Sequence, residues 1–213
     1  MKGYLVAIEG ADGAGTTTQG LDICVRLERA FEKEGKGRHA IYTREPFNNE
    51  LGGYIRRLLS VMSSGTKYPQ SLYDELALDF AANRLQHYNN FIAPYLESGA
   101  VVVSDRYKLS SLVYQGLTSD YEWVAQVNSR AREADLLIYL RCGDGVCGER
   151  LKRRGLPEEY YEGEGLRVEV LKRYDEEYKK YEGMKAEVDG EMEIERVTEF
   201  CYQRVLELVG VKG

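Results

Sequence analysis

The sequence predicts a doubly wound α/β fold, in which a parallel five-stranded sheet is flanked by helices. Short apolar runs alternate with longer helical patterns along the 213 residues. The runs at residues 101–103 and 136–138 are apolar at every position, as expected of parallel strands that helices cover on both faces. The long connections between the runs are typical of parallel crossovers.

Five strands are predicted, at residues 4–8, 39–43, 100–104, 136–140 and, from the weakest pattern, 185–188. Two helices have clear ends. The first covers residues 17–34 and stops at Gly35, and the second covers residues 72–97 and stops before Gly99. Residues 150–165 combine many charges with glycine and are predicted to form a mobile lid. The chain, residues 1–213, is therefore predicted to be one domain that carries this lid.

The composition argues against several classes of protein. The net charge of −6 disfavours binding nucleic acid over a broad basic surface, but it does not disfavour a mononucleotide site. No apolar run approaches the roughly 20 residues that span a bilayer, and the N-terminal apolar stretch is too short for a secretion signal. We therefore expect a cytoplasmic protein without a membrane partner. The four cysteines lack the spacing of a zinc site.

A glycine-rich segment follows the first strand and opens the first helix. Its sequence, G-A-D-G-A-G-T-T, has the glycine spacing of the phosphate-binding P-loop, G-x-x-x-x-G-K-[ST]. The N–H groups of such a loop point inward, and the helix N-terminus adds positive potential. Thr17 stands where a hydroxyl binds Mg²⁺. The predicted nucleotide-binding residues are Gly10, Ala11, Asp12, Gly13, Ala14, Gly15, Thr16, Thr17 and Thr18.

The P-loop lysine is missing, because Thr16 occupies its position. That lysine normally neutralises charge on the β- and γ-phosphates, and threonine can offer only a neutral hydrogen bond. Three explanations are open. Another cation reaches the phosphates, with the basic run at residues 150–154 as the source; or the chain binds nucleotide without efficient catalysis; or the threonine is a deliberate replacement of a natural lysine.

A second predicted site element is the carboxylate that ends the third strand. Asp105 follows V-V-V-S, and a strand end near a P-loop is where a carboxylate reaches Mg²⁺ directly or through water. An aspartate after a strand is also common in turns and at helix N-caps. The adjacent Arg106 favours the phosphate-site interpretation.

Four ordered sequence blocks resemble the thymidylate kinase family. Besides the P-loop, these are T-R-E-P at residues 43–46, with the helix after it; F-A-A-N-R-L-Q-H at residues 80–87; and D-R-Y-K-L-S-S-L-V-Y-Q-G at residues 105–116. The resemblance extends from the first strand to about Tyr174. It implies a P-loop NTPase fold, a homodimer formed through central helices, and transfer of phosphate from Mg-ATP to dTMP, which gives dTDP.

The resemblance also implies roles for individual residues. Asp12 would bind the sugar 3′-hydroxyl, and Arg44 and Arg106 would hold the dTMP phosphate. The remaining acceptor residues would recognise the nucleoside: Phe80 by stacking on thymine, Arg84 by donating to its O4, Ser111 and Gln115 by bonding the base edge, and Tyr114 by crowding a 2′-hydroxyl.

Further family positions lie in the lid. Arg150 matches an arginine that stacks on adenine, while Lys152, Arg154 and Gly155 match the start of an arginine-bearing lid. Some family members carry a catalytic arginine within the P-loop, at the position of Gly13 here, so this chain resembles the subgroup that supplies it from the lid. The predicted catalytic residues are Asp105, Arg106, Arg153 and Arg154, and Thr17 with Asp105 would hold Mg²⁺. Glu162 matches a glutamate beside the lid.

Two departures from the family pattern leave alternatives open. One is Thr16, and the other is Phe47-Asn48-Asn49 where the family usually has Gly-Gly-Thr, which questions the loop shape and base selectivity. The alternatives are a deoxynucleoside kinase, another nucleoside monophosphate kinase of broader specificity, and a nucleotide-binding protein with weak or no kinase activity.

Overall fold

The computed structural model describes residues 1–35, 37–62, 67–155 and 160–211. Its centre is a single sheet in which every strand pair is parallel, with the order β2-β3-β1-β4-β5. The strands are β1 Tyr4–Glu9, β2 Ala40–Arg44, β3 Val101–Asp105, β4 Leu136–Arg141 and β5 Lys185–Asp189. Each bound lies within one residue of the predicted range, so the predicted parallel five-stranded sheet is confirmed.

The helices lie on both faces of the sheet. They are α1 Thr16–Glu34, α2 Glu50–Met62, α3 Gln70–His87, α4 Ala93–Glu97, α5 Lys108–Thr118, α6 Tyr121–Asn128, α7 Asp144–Arg154, α8 Glu164–Lys180 and α9 Ile194–Val209. Helix α1 ends as predicted at Gly35, whose φ of 64° is left-handed.

The predicted helix at residues 72–97 is interrupted. A π-helical turn, Tyr88–Ile92, separates α3 from α4, and the N–H of Ala93 bonds the carbonyl of Tyr88. The turn lies just before Pro94, which has no N–H to donate to the next helical bond. Within this turn the backbone hydrogen bond joins residues five positions apart, where an α-helix joins residues four apart.

Both faces of the central strand are buried, as the continuous apolar runs predicted. Val6 and Ile8 point into the cluster formed with α1 and α9, whereas Leu5 and Ala7 point to the opposite face. Because β1 pairs with β3 on one side and β4 on the other, the chain reverses its direction of strand addition at β1. The carboxyl ends of parallel strands around such a reversal form the usual ligand-binding crevice.

The predicted lid at residues 150–165 is not a uniformly exposed flap. Its first residues are the last turns of α7, residues 156–159 lie outside the described residues, and a 3₁₀ turn, Tyr160–Glu162, precedes α8. Tyr161 and Glu162 are buried. Lid motion and the single-domain organisation stay predictions.

Among the described residues, no helix combines the length and the apolar composition needed to cross a bilayer. The cytoplasmic location stays a prediction.

Candidate active site

A cavity of about 620 Å³ lies above the carboxyl ends of the strands. Most of the predicted site residues line it, although Gly10, Ala11 and Arg153 do not. The predicted residues that line the cavity are Asp12, Gly13, Ala14, Gly15, Thr16, Thr17, Thr18, Arg44, Phe80, Arg84, Asp105, Arg106, Ser111, Tyr114, Gln115, Arg150 and Arg154. The fold therefore brings residues separated by more than a hundred positions to one place.

The P-loop needs glycine at two positions. Gly13 and Gly15 have φ values of 86° and 103°, which side-chain-bearing residues rarely adopt. A Cβ at Gly13 would also lie 2.6 Å from the carbonyl oxygen of Cys147 on α7. Position 13 consequently has no room for an arginine side chain.

Thr17 and Asp105 meet where α1 begins and β3 ends. The Thr17 hydroxyl donates to Oδ2 of Asp105 at 2.5 Å, and the Tyr42 hydroxyl donates to the same oxygen at 3.1 Å. Oδ1 of Asp105 is buried and has no hydrogen-bond partner among the described residues. An unbonded carboxylate oxygen beside a threonine hydroxyl fits Mg²⁺, which prefers oxygen ligands and keeps several of its waters.

Thr16 leaves the P-loop without the positive charge that a lysine would supply. Its side chain is buried and lines the cavity. Six arginines line the same cavity within the described residues: Arg44, Arg56, Arg84, Arg106, Arg150 and Arg154. Cationic charge is thus abundant around the site, but it comes from outside the loop.

Arg106 follows the end of β3 in a left-handed backbone conformation, with φ 66°. Its Nη1 donates to the Gly10 carbonyl at 2.7 Å and to the Tyr174 hydroxyl at 2.9 Å, and its Nη2 donates to Asp12 at 2.6 Å. The Nε–H and the second Nη2–H have no partner among the described residues. Two donors of a fixed guanidinium therefore remain for an anion.

Arg44, at the end of β2, is the other predicted phosphate ligand. Its side chain is exposed, lines the cavity and makes no hydrogen bond or ion pair with the described residues. In the register of the sheet it lies beside Asp105. A free guanidinium at this edge is suited to an incoming phosphate.

Arg84 is fully buried and almost fully bonded. Its Nε donates to Glu45 at 2.8 Å, Nη1 donates to Asn128, and Nη2 donates to the Tyr107 carbonyl at 3.1 Å and to Ser111 at 3.0 Å. Four of the five N–H groups of an arginine are thus occupied, which leaves one on Nη1. Arg84 lines the cavity, so the predicted contact with a base is restricted to this donor.

Local packing explains the presence of Phe47 at a position where the family resemblance leads us to expect glycine. Its ring stacks on His87 at 4.5 Å and lies 5.5 Å from Phe91, and its backbone N–H bonds Asn83 at 2.6 Å. Phe47 does not line the cavity. Phe47 therefore anchors the loop to α3 and leaves the cavity unobstructed.

Asp12 and Tyr114 line the cavity as a hydrogen-bonded pair. The Tyr114 hydroxyl donates to Oδ2 of Asp12 at 3.0 Å, while Oδ1 accepts from Arg106. Tyr161 packs edge-on against Tyr114, with 5.0 Å between ring centroids, and burial raises its pKa to about 12. Tyr161, which lies within the predicted lid, thus packs against Tyr114 at the cavity.

The lid arginines occupy three different environments. Arg150 donates to the carbonyls of Gly13 and Ala14 at 3.3 Å and to that of Gly190 at 2.9 Å, which docks α7 on the P-loop. Arg154 lines the cavity and bonds Glu162 at 2.7 Å. Arg153 is 80% exposed and pairs with Glu149, so the structure does not bring it to the other predicted catalytic residues.

Sequence reasoning missed several residues in or beside the site, among them Arg56 and Glu9. Arg56 lines the cavity and donates to the Pro46 carbonyl at 2.9 Å; it lies within the segment after T-R-E-P, which was noted only as a helix. Glu9, which ends β1 directly before the P-loop, accepts the backbone N–H groups of Tyr107 and Ser110 at the start of α5. A charged residue ending a buried strand was the available signal.

Comparisons with known proteins agree with this geometry. The family model for thymidylate kinase matches residues 8–201. A probable thymidylate kinase of Pyrococcus horikoshii is 40% identical over 163 residues, covering 75% of each chain, and one of Thermococcus gammatolerans is 37% identical over 191 residues, covering 87% of this chain and 86% of its own. The thymidylate kinase of Caldicellulosiruptor saccharolyticus is 38% identical over 160 residues, covering 73% of this chain and 72% of its own.

The family match begins at Ile8, next to the P-loop, and ends within α9, so that it includes every wall of the cavity. On this ground the chain belongs to the thymidylate kinase family.

Proposed function

We propose that the protein transfers the γ-phosphoryl group of ATP to the 5′-phosphate of dTMP, giving dTDP and ADP. The observation that carries this proposal is that two sets of anion-binding groups line one cavity. One set is the P-loop, and the other is the exposed guanidinium of Arg44 with the two unbonded donors of Arg106, which is anchored to the P-loop through Asp12. A direct in-line transfer requires two phosphate-bearing ligands to meet end to end, and it needs positioning and charge neutralisation only.

The donor nucleotide is assigned to the P-loop side. The amides of residues 12–18 would hold the β- and γ-phosphates, and the face of the Arg150 guanidinium, held by backbone carbonyls, would stack on adenine. Met192 and Ile194 line the same end of the cavity and would complete an apolar adenine site.

The acceptor is assigned to the part of the cavity that α3 and α5 line. Phe80 would stack on thymine, and Arg84 would donate its remaining Nη1–H to the base O4. Ser111 and Gln115, both buried, would bond the base edge. Asp12 would accept from the 3′-hydroxyl with the lone pairs that Arg106 and Tyr114 leave free, and Tyr114 would exclude a 2′-hydroxyl.

Thr17 and Asp105 are assigned to Mg²⁺. When bound with ATP, the ion supplies charge neutralisation at the phosphate oxygens. The Thr17 hydroxyl and the unbonded Oδ1 of Asp105 are the protein oxygens available to it. No group of three His, Cys, Asp or Glu side chains suited to a metal occurs among the described residues, so the ion would be held mostly by phosphate oxygens and water.

The charge missing at Thr16 is assigned to Arg154. Of the three lid arginines, it is the one that lines the cavity without being fixed to backbone carbonyls. Closure of the lid over ATP would bring its guanidinium to the transferring phosphoryl group and exclude water.

The proposal is tested by steady-state turnover with ATP and three acceptors: dTMP, dUMP and thymidine. We expect the highest kcat/KM for dTMP. Thymidine as the preferred acceptor would instead identify a deoxynucleoside kinase, because the phosphate ligands Arg44 and Arg106 would then have no role.

A second candidate function is nucleotide binding with weak or no phosphoryl transfer, which the uncharged side chain of Thr16 favours. Calorimetric titration of ATP beside the turnover assay separates the two. Micromolar binding without turnover would select the second candidate.

We also propose a homodimer formed through the central helices. Exposed apolar side chains on α2 and α3 support it: Tyr54, Val61 and Leu78 are 37%, 62% and 49% exposed. Sedimentation of the wild type and of Leu78→Glu would test it, with a monomeric wild type as the contrary result.

A further inference from the structure

The guanidinium of Arg106 is held from behind by a side chain far away in sequence. Tyr174 lies in α8, the helix that follows the predicted lid, and it is completely buried. Its hydroxyl accepts from Nη1 of Arg106 at 2.9 Å and lies 2.8 Å from Oγ of Ser110, which also accepts from Nη1 directly, at the longer distance of 3.3 Å. No functional role was assigned to this tyrosine by the sequence.

The chain of hydrogen bonds ends on a buried carboxylate. Oγ of Ser110 donates to Oε2 of Glu9 at 2.6 Å, and the Tyr174 hydroxyl lies 3.3 Å from the same oxygen. The other oxygen of Glu9 accepts the N–H groups of Tyr107 and Ser110 at 2.9 and 3.3 Å. Glu9 therefore caps α5, whose N-cap residue makes no side-chain cap of its own.

We propose that Tyr174 is a positioning residue for the acceptor phosphate, because its hydroxyl connects the guanidinium of Arg106 to the carboxylate of Glu9 through Ser110. This inference rests on the proposed function, in which Arg106 binds the phosphate of dTMP.

The direction of donation in this network supports the assignment. Arginine can only donate and a carboxylate can only accept, so the hydroxyls of Tyr174 and Ser110 are oriented from Arg106 towards Glu9. Hydrogen bonds arranged in one direction strengthen one another in a site of low dielectric. The Nη1 atom is thereby immobilised, and the unbonded Nε–H and Nη2–H keep a constant direction towards the cavity.

A neighbouring tyrosine provides a matched control. Tyr139 is 1% exposed, and its ring stacks on that of Tyr174 at 5.7 Å. Its hydroxyl donates to Asp175 at 3.0 Å and makes no contact with Arg106. Removing either hydroxyl leaves the stacked rings in place, but only the Tyr174 hydroxyl bonds the arginine.

The test is calorimetric titration of wild type, Tyr174→Phe and Tyr139→Phe with dTMP and, separately, with thymidine. We expect Tyr174→Phe to weaken dTMP binding about tenfold, the usual size for a lost hydrogen bond to a charged group. Thymidine binding should stay unchanged, because thymidine has no phosphate. Tyr139→Phe should change the affinity for neither ligand. Ser110→Ala is a second variant. We expect the losses of dTMP affinity in Ser110→Ala and Tyr174→Phe to be less than additive in the double variant, because both substitutions interrupt the same chain of hydrogen bonds.

If Tyr174→Phe weakened the binding of dTMP and of thymidine equally, the hydroxyl would have a merely structural role and the inference would be overturned. Unchanged binding of both ligands would overturn it as well. The proposed function is judged separately by turnover: a wild type that binds dTMP more tightly than thymidine but transfers no phosphoryl group would contradict only that proposal. A wild type that binds the two equally would overturn both.

Discussion

The guanidinium of Arg154, at the end of α7, donates a hydrogen bond at 2.7 Å to Glu162, a carboxylate in the turn before α8. Glu162 is buried, so it holds Arg154 beside the cavity that Thr16 lines. Because this arginine is tethered next to the site and is not fixed to the P-loop backbone, we expect it to move to the phosphates when ATP binds.

Arg154→Ala is expected to lower kcat roughly a hundredfold, the usual loss when one electrostatic stabiliser of a transition state is removed. Arg153→Ala is the matched control, because its side chain is 80% exposed and pairs on the surface with Glu149. Steady-state turnover of dTMP with ATP measures both variants. Equal loss in the two variants, or no loss in Arg154→Ala, would contradict the role of Arg154.

Thr16→Lys is expected to restore part of the rate that Arg154→Ala loses, since lysine at this position supplies charge to the same phosphates. We expect kcat of the double variant to exceed that of Arg154→Ala about tenfold or more. The assay is the same turnover measurement, with the single Thr16→Lys variant beside it. If lysine has no effect in either background, missing charge at position 16 does not limit the reaction.

Asp105→Asn is expected to raise the Mg²⁺ concentration needed for half-maximal turnover by about tenfold. The amide can still accept from Thr17 and Tyr42, but it has lost the charge that favours a cation. Turnover is measured over a range of Mg²⁺ concentrations after treatment with EDTA. Asp135→Asn, which removes a carboxylate outside the cavity, is the control, and an unchanged Mg²⁺ dependence in Asp105→Asn would refute the metal assignment.

Burial raises the pKa of the Glu9 carboxyl above its ordinary value of 4.5, although its hydrogen bonds to Ser110 oppose the shift. From pH 4.5 up to this raised pKa, the folded chain holds a proton that the unfolded chain has lost. Glu9 therefore makes the free energy of unfolding fall as pH rises through this window. Glu9→Gln cannot titrate and should lack this contribution.

Denaturant unfolding of wild type and Glu9→Gln at several pH values measures the effect. The free energy of unfolding of the wild type, relative to the variant, should decrease with rising pH from 4.5 upward. A difference between wild type and Glu9→Gln that is constant or grows with pH would contradict the buried-carboxylate interpretation.

Gly13→Ala is expected to destabilise the protein more than Gly15→Ala does. Both positions are left-handed, so alanine costs roughly 1–2 kcal/mol in backbone strain at each. Only at Gly13 would the new Cβ also meet the Cys147 carbonyl at 2.6 Å, whereas nothing lies within 4 Å at Gly15. Denaturant unfolding compares the free energies, and an equal loss in both variants would mean that α7 moves away without cost.

The course of the backbone could be predicted largely from local pattern. Continuous apolar runs identified the strands because a parallel strand is buried on both faces, and Gly35 marked the end of α1 because a left-handed residue follows many helices. Pro94 interrupts the predicted second helix, since the missing N–H alters the hydrogen bonds before it.

The P-loop was equally evident in sequence, because its glycines and its place between strand and helix are local properties. Thr17, Asp105 and Arg106 could be named for the same reason. Their distances, and the unbonded Oδ1 of Asp105, depend on β1 and β3 lying side by side, which no local pattern states.

Only tertiary packing decided which charged side chains belong to the site. Arg153 and Arg154 are adjacent in the basic run, yet one is bonded on the surface and the other beside the cavity, since successive helical residues point about 100° apart. Glu9 and Tyr174 are separated by most of the chain and meet behind Arg106. Sequence alone thus determined the order of the elements and the position of the glycine-rich loop between β1 and α1. Which side chains converge depended on non-local contacts, because these form only when helices from distant parts of the chain pack on one sheet.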